Sequence, residues 1–158
     1  VFNMITLYFF GGTVVNFFGL LGFFFIYVGA ILLGNLFSLY LYKNQGWYSA
    51  IGASGGVAGI LFASIAAIPD LGIYMFFIPI PIPGYIFGFL YFSYSVYMML
   101  NPRMNDNIGH AAHLGGAFFG LVSAFVFLPT IAFSNILYIA LMSLPLMYLG
   151  YIIFNKNR

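Results

Sequence analysis

Unbroken apolar runs dominate this chain: Leu20–Leu33 and Phe118–Leu128 hold no charged residue and almost no polar one. Runs of this kind cannot supply the short alternating segments of a spanning β-barrel, and they suit a helix, which needs about 20 apolar residues to cross a bilayer. Charged residues make up 4% of the 158 positions and hydrophobic residues 64%, with a mean hydropathy of +1.09. An ordinary soluble domain carries roughly 25% charge, so a water-soluble fold is excluded. The length accommodates roughly six or seven spans with short connections and leaves no room for a separate soluble domain. The fold class is therefore all-α, a polytopic transmembrane helical bundle, with residues 1–158 forming a single membrane domain.

The six charges are Lys43, Asp70, Arg103, Asp106, Lys156 and Arg158, each in or near an expected loop or terminus. Glutamate is absent, which argues against an HExxH metalloprotease, and the two aspartates read as loop residues, which argues against an intramembrane aspartyl protease. The lack of cysteine removes disulfides, iron–sulfur clusters and thiol catalysis. A net charge of +2 is too small for a nucleic-acid surface. The opening, Val1-Phe2-Asn3-Met4-Ile5, reads as the interior of a helix and not as a cleavable signal peptide.

Breakers and polar clusters divide the chain. A first span is expected from the start to about Val14, with Gly11-Gly12 and Gly19 around a junction, and a second ends near Tyr42. Residues 43–50 form an interfacial loop carrying Lys43 and the aromatics Trp47 and Tyr48. A third span runs from about Gly52 to Ile68, stopped by Pro69. Pro79, Pro81 and Pro83 alternate, which forbids a helix, so residues 78–84 are expected to be extended and kept out of bare hydrocarbon. A fourth span covers about Tyr85 to Leu100, a polar loop occupies 101–107, a fifth span runs from about Ile108 to Leu128, and a sixth from about Ile131 to Phe154.

Polar groups within spans are costly in lipid and so become candidate functional groups. Ser54, in Gly52-Ala53-Ser54-Gly55-Gly56, opens the third span, where small neighbours leave the hydroxyl accessible and free helix-start amides suit a developing oxyanion. Gly52 with Gly56, and Gly55 with Gly59, equally satisfy a helix-packing pattern in which serine is common. His113 shares a helix face with Gly109, Gly116 and Gly120, and is open to three roles: general base, metal ligand or hydrogen-bonded structural group. His110 and His113 lack a third protein ligand, so no metal and no cofactor are expected. If span directions alternate, the first, third and fifth spans run the same way, bringing Asn3, Ser54 and His113 to one membrane face at similar depth. Asn3 then either donates to an oxyanion or ties helices together.

These residues resemble the motifs of the rhomboid intramembrane serine proteases. The family carries Gly-x-Ser-Gly on one span and Ala-His-x-x-Gly-x-x-x-Gly on another. Here they read Gly52-Ala53-Ser54-Gly55 and Ala112-His113-Leu114-Gly115-Gly116-Ala117-Phe118-Phe119-Gly120, with Ser54 and His113 59 residues apart. Asn3 matches the end of the family's His-x-x-x-Asn motif, whose histidine would fall two positions before Val1. The resemblance covers nearly the whole chain, about six spans, and places the family's first span outside it.

The resemblance implies a serine endopeptidase that cuts single-span transmembrane proteins, with the lipid bilayer as its surroundings and no nucleic acid or metal as partner. Ser54 is the implied nucleophile and His113 the general base and acid. The Ser54 amide and Asn3 form the implied oxyanion hole, and Gly52, Gly55, His110, Gly116 and Gly120 support them. Two positions depart from the family. Val15 stands where a glutamate is usual, and Ala58, four after the serine, stands where an aromatic often stacks on the catalytic histidine. A catalytically inactive relative that binds transmembrane helices, and a small transporter or channel, are the alternative functions. The expected location is a bacterial cytoplasmic membrane. The positive-inside rule makes the active-site face cytoplasmic, since Lys43, Arg103, Lys156 and Arg158 all fall on it, whereas most bacterial rhomboids place that face outside.

Overall fold

A computed structural model describes residues 1–44, 52–75, 78–101 and 109–156. Its elements run in the order α1 (Phe2–Tyr42), α2 (Ser54–Ala67), β1 (Gly72–Met75), β2 (Ile78–Pro83), α3 (Gly84–Leu100), α4 (His110–Phe127), α5 (Pro129–Ser134) and α6 (Ile136–Lys156). Among the described residues, three helices are long and apolar enough to cross a membrane: α1, α4 and Ile136–Asn155 of α6. The large apolar side chains that line their outer faces, such as Leu21, Leu33, Val126 and Leu137, are exposed, as a lipid-facing surface requires.

The 41-residue α1 is two arms joined at Gly19, whose φ of 73° and ψ of 170° break the helix. A side chain at that backbone geometry is strained, so glycine marks the bend. Contacts with α2 give the direction of each arm. Asn3 and Thr6 of the first arm lie beside Ser54 at the start of α2. Further along, Ser64 Oγ donates to the Phe10 carbonyl at 3.3 Å. In the second arm the order reverses, with Tyr27 and Ile31 against Gly56 and Ile26 against Gly59. The two arms thus occupy the places of the first two expected spans.

The centre of the molecule is α2. Every residue from Gly55 to Ala67 is buried. Its small residues let the second arm of α1 and α4 approach at backbone distance, which no helix of large side chains permits. Gly55 and Gly59 face Gly116 and Gly120 of α4, carbonyl against glycine, and in the same order along both helices. The two helices therefore run parallel. Gly34 of α1 meets Ala112 and Gly115 of α4, while Gly29 meets Phe119, so that pair runs antiparallel.

The proline stretch is extended as expected, and Ile78–Pro83 pairs antiparallel with Gly72–Met75, with Ile73 opposite Ile82 and Met75 opposite Ile78. This small hairpin, set in a mostly helical bundle, satisfies backbone groups that a proline-bearing strand cannot satisfy alone. The last helix starts at Ile136, where a sixth span was expected from about Ile131, because Asn135 interrupts the helix. Its side-chain amide donates to the Ala66 and Ala67 carbonyls at 3.1 and 3.3 Å, closing the C-terminal end of α2. The short α5 before it opens with Pro129 in the first helical turn.

α3 and α6 pack together through Tyr85 and Tyr138, ring centroids 5.0 Å apart, and through Gly88 against Met142. Most of the expected polar loops, residues 45–50 and 102–107, lies outside the described residues, as do Arg103, Asp106 and Arg158.

Candidate active site

Ser54 is the first residue of α2, preceded by Ala53, which makes no side-chain cap. The first amide bonded within the helix is that of Val57, to the Ala53 carbonyl at 3.2 Å. The amides of Ser54, Gly55 and Gly56 precede it in the first turn and so have no acceptor inside the helix. Aligned in that turn, they make the locale electropositive. The serine hydroxyl is half-buried beside them.

His113 stands in the first turn of α4, its amide bonded to the Gly109 carbonyl at 3.0 Å. The register that brings it to Ser54 is fixed three residues along. A side-chain carbon at Gly116 would run into the Gly55 carbonyl, and one at Gly120 into the Gly59 carbonyl, so α4 settles against α2 only where both are glycine. Two parallel helices locked by these contacts share one height along the bundle axis, and both first turns open at the same end.

That end holds a cavity of about 130 Å³ between the first arm of α1, α2, α3 and α4. Asn3, Thr6, Ser54, Val57, Ala58, Leu61, Tyr91 and His113 line it. The structure thus brings Asn3, Ser54 and His113 to the walls of one open cavity. No hydrogen bond joins Ser54 to His113 among the described residues. In an unliganded serine hydrolase such bonds are commonly long and tighten once substrate is bound.

The other expected site residues fall elsewhere. His110 is buried against α3, its ring edge-on to Tyr94 with centroids 5.7 Å apart, and is not part of the cavity wall. Gly52 is exposed ahead of α2, while Gly55, Gly116 and Gly120 form the backbone contact just described. Sequence reasoning missed Thr6 and Tyr91. Thr6 follows Asn3 by three residues on a helix and so shares its face, a signal available in the sequence. Tyr91 reaches the cavity from a helix distant in sequence, and no local pattern announces it. Its ring is packed against Phe62 at 5.2 Å and Phe87 at 5.9 Å. Ala58, which departs from the aromatic often found there in the family, is buried in the wall.

A serine at an uncapped helix start, a histidine at matching height on a parallel helix and an amide from a third helix, all around one cavity with room for several waters, make a set suited to acyl transfer. Comparison with protein families gives a match to the Rhomboid domain over residues 1–130, which contains every residue of this set. The chain belongs to the rhomboid family. Among its relatives, RHOMBOID-like protein 12, mitochondrial, of Arabidopsis thaliana is 32% identical over 132 residues, covering 74% of this chain and 38% of that protein. Presenilin-associated rhomboid-like protein, mitochondrial, of Mus musculus is 31% identical over 122 residues, covering 75% of this chain and 32% of that protein. This rhomboid chain spans about a third of the length of the curated relatives it matches. No solved structure gives a significant match. The chain is a membrane protein of this family, and the mitochondrial names of both relatives lend no support to the expected bacterial cytoplasmic membrane.

Proposed function

We propose that this rhomboid domain is an intramembrane serine endopeptidase that hydrolyses peptide bonds of single-span transmembrane proteins. The observation that carries the reading is the glycine-locked, parallel packing of α2 on α4, which brings Ser54 and His113 into one cavity. Ser54 Oγ attacks the scissile carbonyl as His113 takes its proton, and His113 then protonates the leaving amine. The Ser54 amide and the Asn3 side chain face the developing oxyanion. A second water-derived attack, with His113 again as base, releases the acyl fragment and regenerates Ser54. The dimensions of α2 agree with chemistry below the membrane surface. Its 14 residues extend about 21 Å at roughly 1.5 Å per residue, against a hydrocarbon core of about 30 Å, so a helix anchored at one interface holds its first residue inside the bilayer.

On this reading the chain makes about six passes, with the first arm of α1, α2 and α4 running one way and the second arm, α3 and α6 the other. The mitochondrial relatives favour a mitochondrial membrane as the location of this protein. The test is cleavage of a single-span substrate in proteoliposomes by the full-length protein. Product formed by the wild type and lost in Ser54→Ala supports the reading, and product that persists in Ser54→Ala overturns it. A second reading, an inactive relative that binds transmembrane helices, is favoured by Val15 and Ala58, which depart from the family's usual residues. Binding of the same substrate without turnover by the wild type selects it.

A further inference from the structure

The β1–β2 hairpin follows the C-terminal end of α2 and so lies at the end of the bundle opposite Ser54. Along a strand, alternate residues direct their backbone groups to opposite edges. Pro83 stands opposite Gly72, Ile82 opposite Ile73 and Ile78 opposite Met75, with an irregularity of register between the last two pairs. Pro79, Pro81 and Pro83 offer no amide donor to either edge of β2. Edge strands in water need no such treatment when charges protect them, yet there is no charged residue from Leu71 to Leu100. The side chains agree, since Tyr74 is 71% and Ile80 70% exposed, one on each strand. Exposed Asp70 stands immediately before the hairpin, and α3 continues directly from β2 as an apolar helix.

We infer that this hairpin is a membrane-embedded element whose partner is the lipid interface, entered below the level of Asp70 on the face opposite the cavity. A strand with three prolines has three fewer amide donors to leave unpaired outside water, where each costs several kcal/mol, while its carbonyls still find donor partners at the hydrated headgroup level. Tyr74 supplies the amphipathic ring that favours headgroup depth, and Ile80 the apolar contact beneath it. The inference is independent of any catalytic role for Ser54.

The test uses the single tryptophan of the chain, Trp47, replaced by phenylalanine so that one new tryptophan reports position. Tyr74→Trp and Ile80→Trp are made separately in that background, both at exposed sites where no core contact is lost, with Asp70→Trp as the shallow reference. The full-length protein, with any tryptophan outside this chain likewise replaced by phenylalanine, is reconstituted in phosphatidylcholine vesicles with brominated acyl chains. Fluorescence at positions 74 and 80 is expected to fall at least twofold relative to unbrominated vesicles, and by more than at position 70, with little quenching by aqueous acrylamide. Strong acrylamide quenching without bromine quenching places the hairpin in water and overturns the inference. Quenching by neither places it against protein, a second copy included, and overturns it equally.

Discussion

The carbonyl of Gly55 packs directly on the Cα side of Gly116, with the Gly55 Cα only 2.9 Å from where a side-chain carbon at Gly116 would sit. This contact sets the register of α4 on α2, and through it the relation of His113 to Ser54. Backbone cannot rotate away as a flexible side chain can. Gly116→Ala is therefore expected to destabilise by about 1–3 kcal/mol, despite the higher helix propensity of alanine. Gly150→Ala, in α6 with nothing within 4 Å, is expected to stabilise by about 0.5–1 kcal/mol. Thermal unfolding in detergent reads both. Equal effects of the same sign contradict the register account.

Asn135 joins α6 to the end of α2, its side-chain amide bonding two carbonyls that the helix leaves without partners. Asn135→Ala removes both bonds at once and is expected to cost about 1–3 kcal/mol, lowering the thermal midpoint without altering cavity chemistry. Asn135→Asp is expected to do at least as much harm, since a carboxylate repels the same carbonyls. Midpoints unchanged in both variants mean that the cap carries no weight.

Gly19 holds α1 at its bend with φ of 73° and open space around it. Crowding therefore plays no part in the effect of substitution, and backbone strain alone decides it. Gly19→Ala is expected to destabilise by about 1–2 kcal/mol. Gly12→Ala, equally uncrowded but inside the helical arm, is expected to be neutral or mildly stabilising, by at most about 1 kcal/mol. The comparison isolates the bend.

Much of this architecture was legible in the chain because membrane helices advertise themselves locally. Apolar runs, the breakers Gly19 and Pro69 and the alternating prolines bounded α1 to α4 within a few residues. Alternation of direction then brought Asn3, Ser54 and His113 to one end without any knowledge of contacts. What stayed hidden depends on pairing between distant segments. The partner of the proline strand was hidden because Gly72–Met75 has no strand signal of its own. Asn135 reads locally as a helix residue, and only its contact with Ala66 and Ala67 explains why α6 begins after it. His110, one turn before His113, has a supporting role only by the resemblance, whereas its ring packs edge-on against Tyr94 of α3. Tyr91 entered the cavity wall unannounced for the same reason that Ala58 left room there: cavity shape is a property of four helices and not of any one of them.

Ring packing around Tyr91 separates its structural contribution from its hydroxyl. Tyr91→Ala removes a ring held by Phe62 and Phe87 and is expected to cost about 3–5 kcal/mol. Tyr91→Phe keeps the ring and is expected to stay within about 1 kcal/mol of wild type by thermal unfolding. A large loss in Tyr91→Phe shows instead that the hydroxyl holds the cavity wall together.

The central claim is that Ser54 and His113 act on each other across the cavity, and labelling by a fluorophosphonate probe tests it most directly. The full-length protein in detergent is compared with Ser54→Ala and His113→Ala, both checked for unchanged helical content. The account predicts covalent labelling of the wild type, none in Ser54→Ala, and a loss on the order of 10⁴-fold or more in His113→Ala, as when the base of a serine–histidine pair is removed. A folded wild type that takes no label, or a His113→Ala variant labelled as fast as wild type, contradicts it.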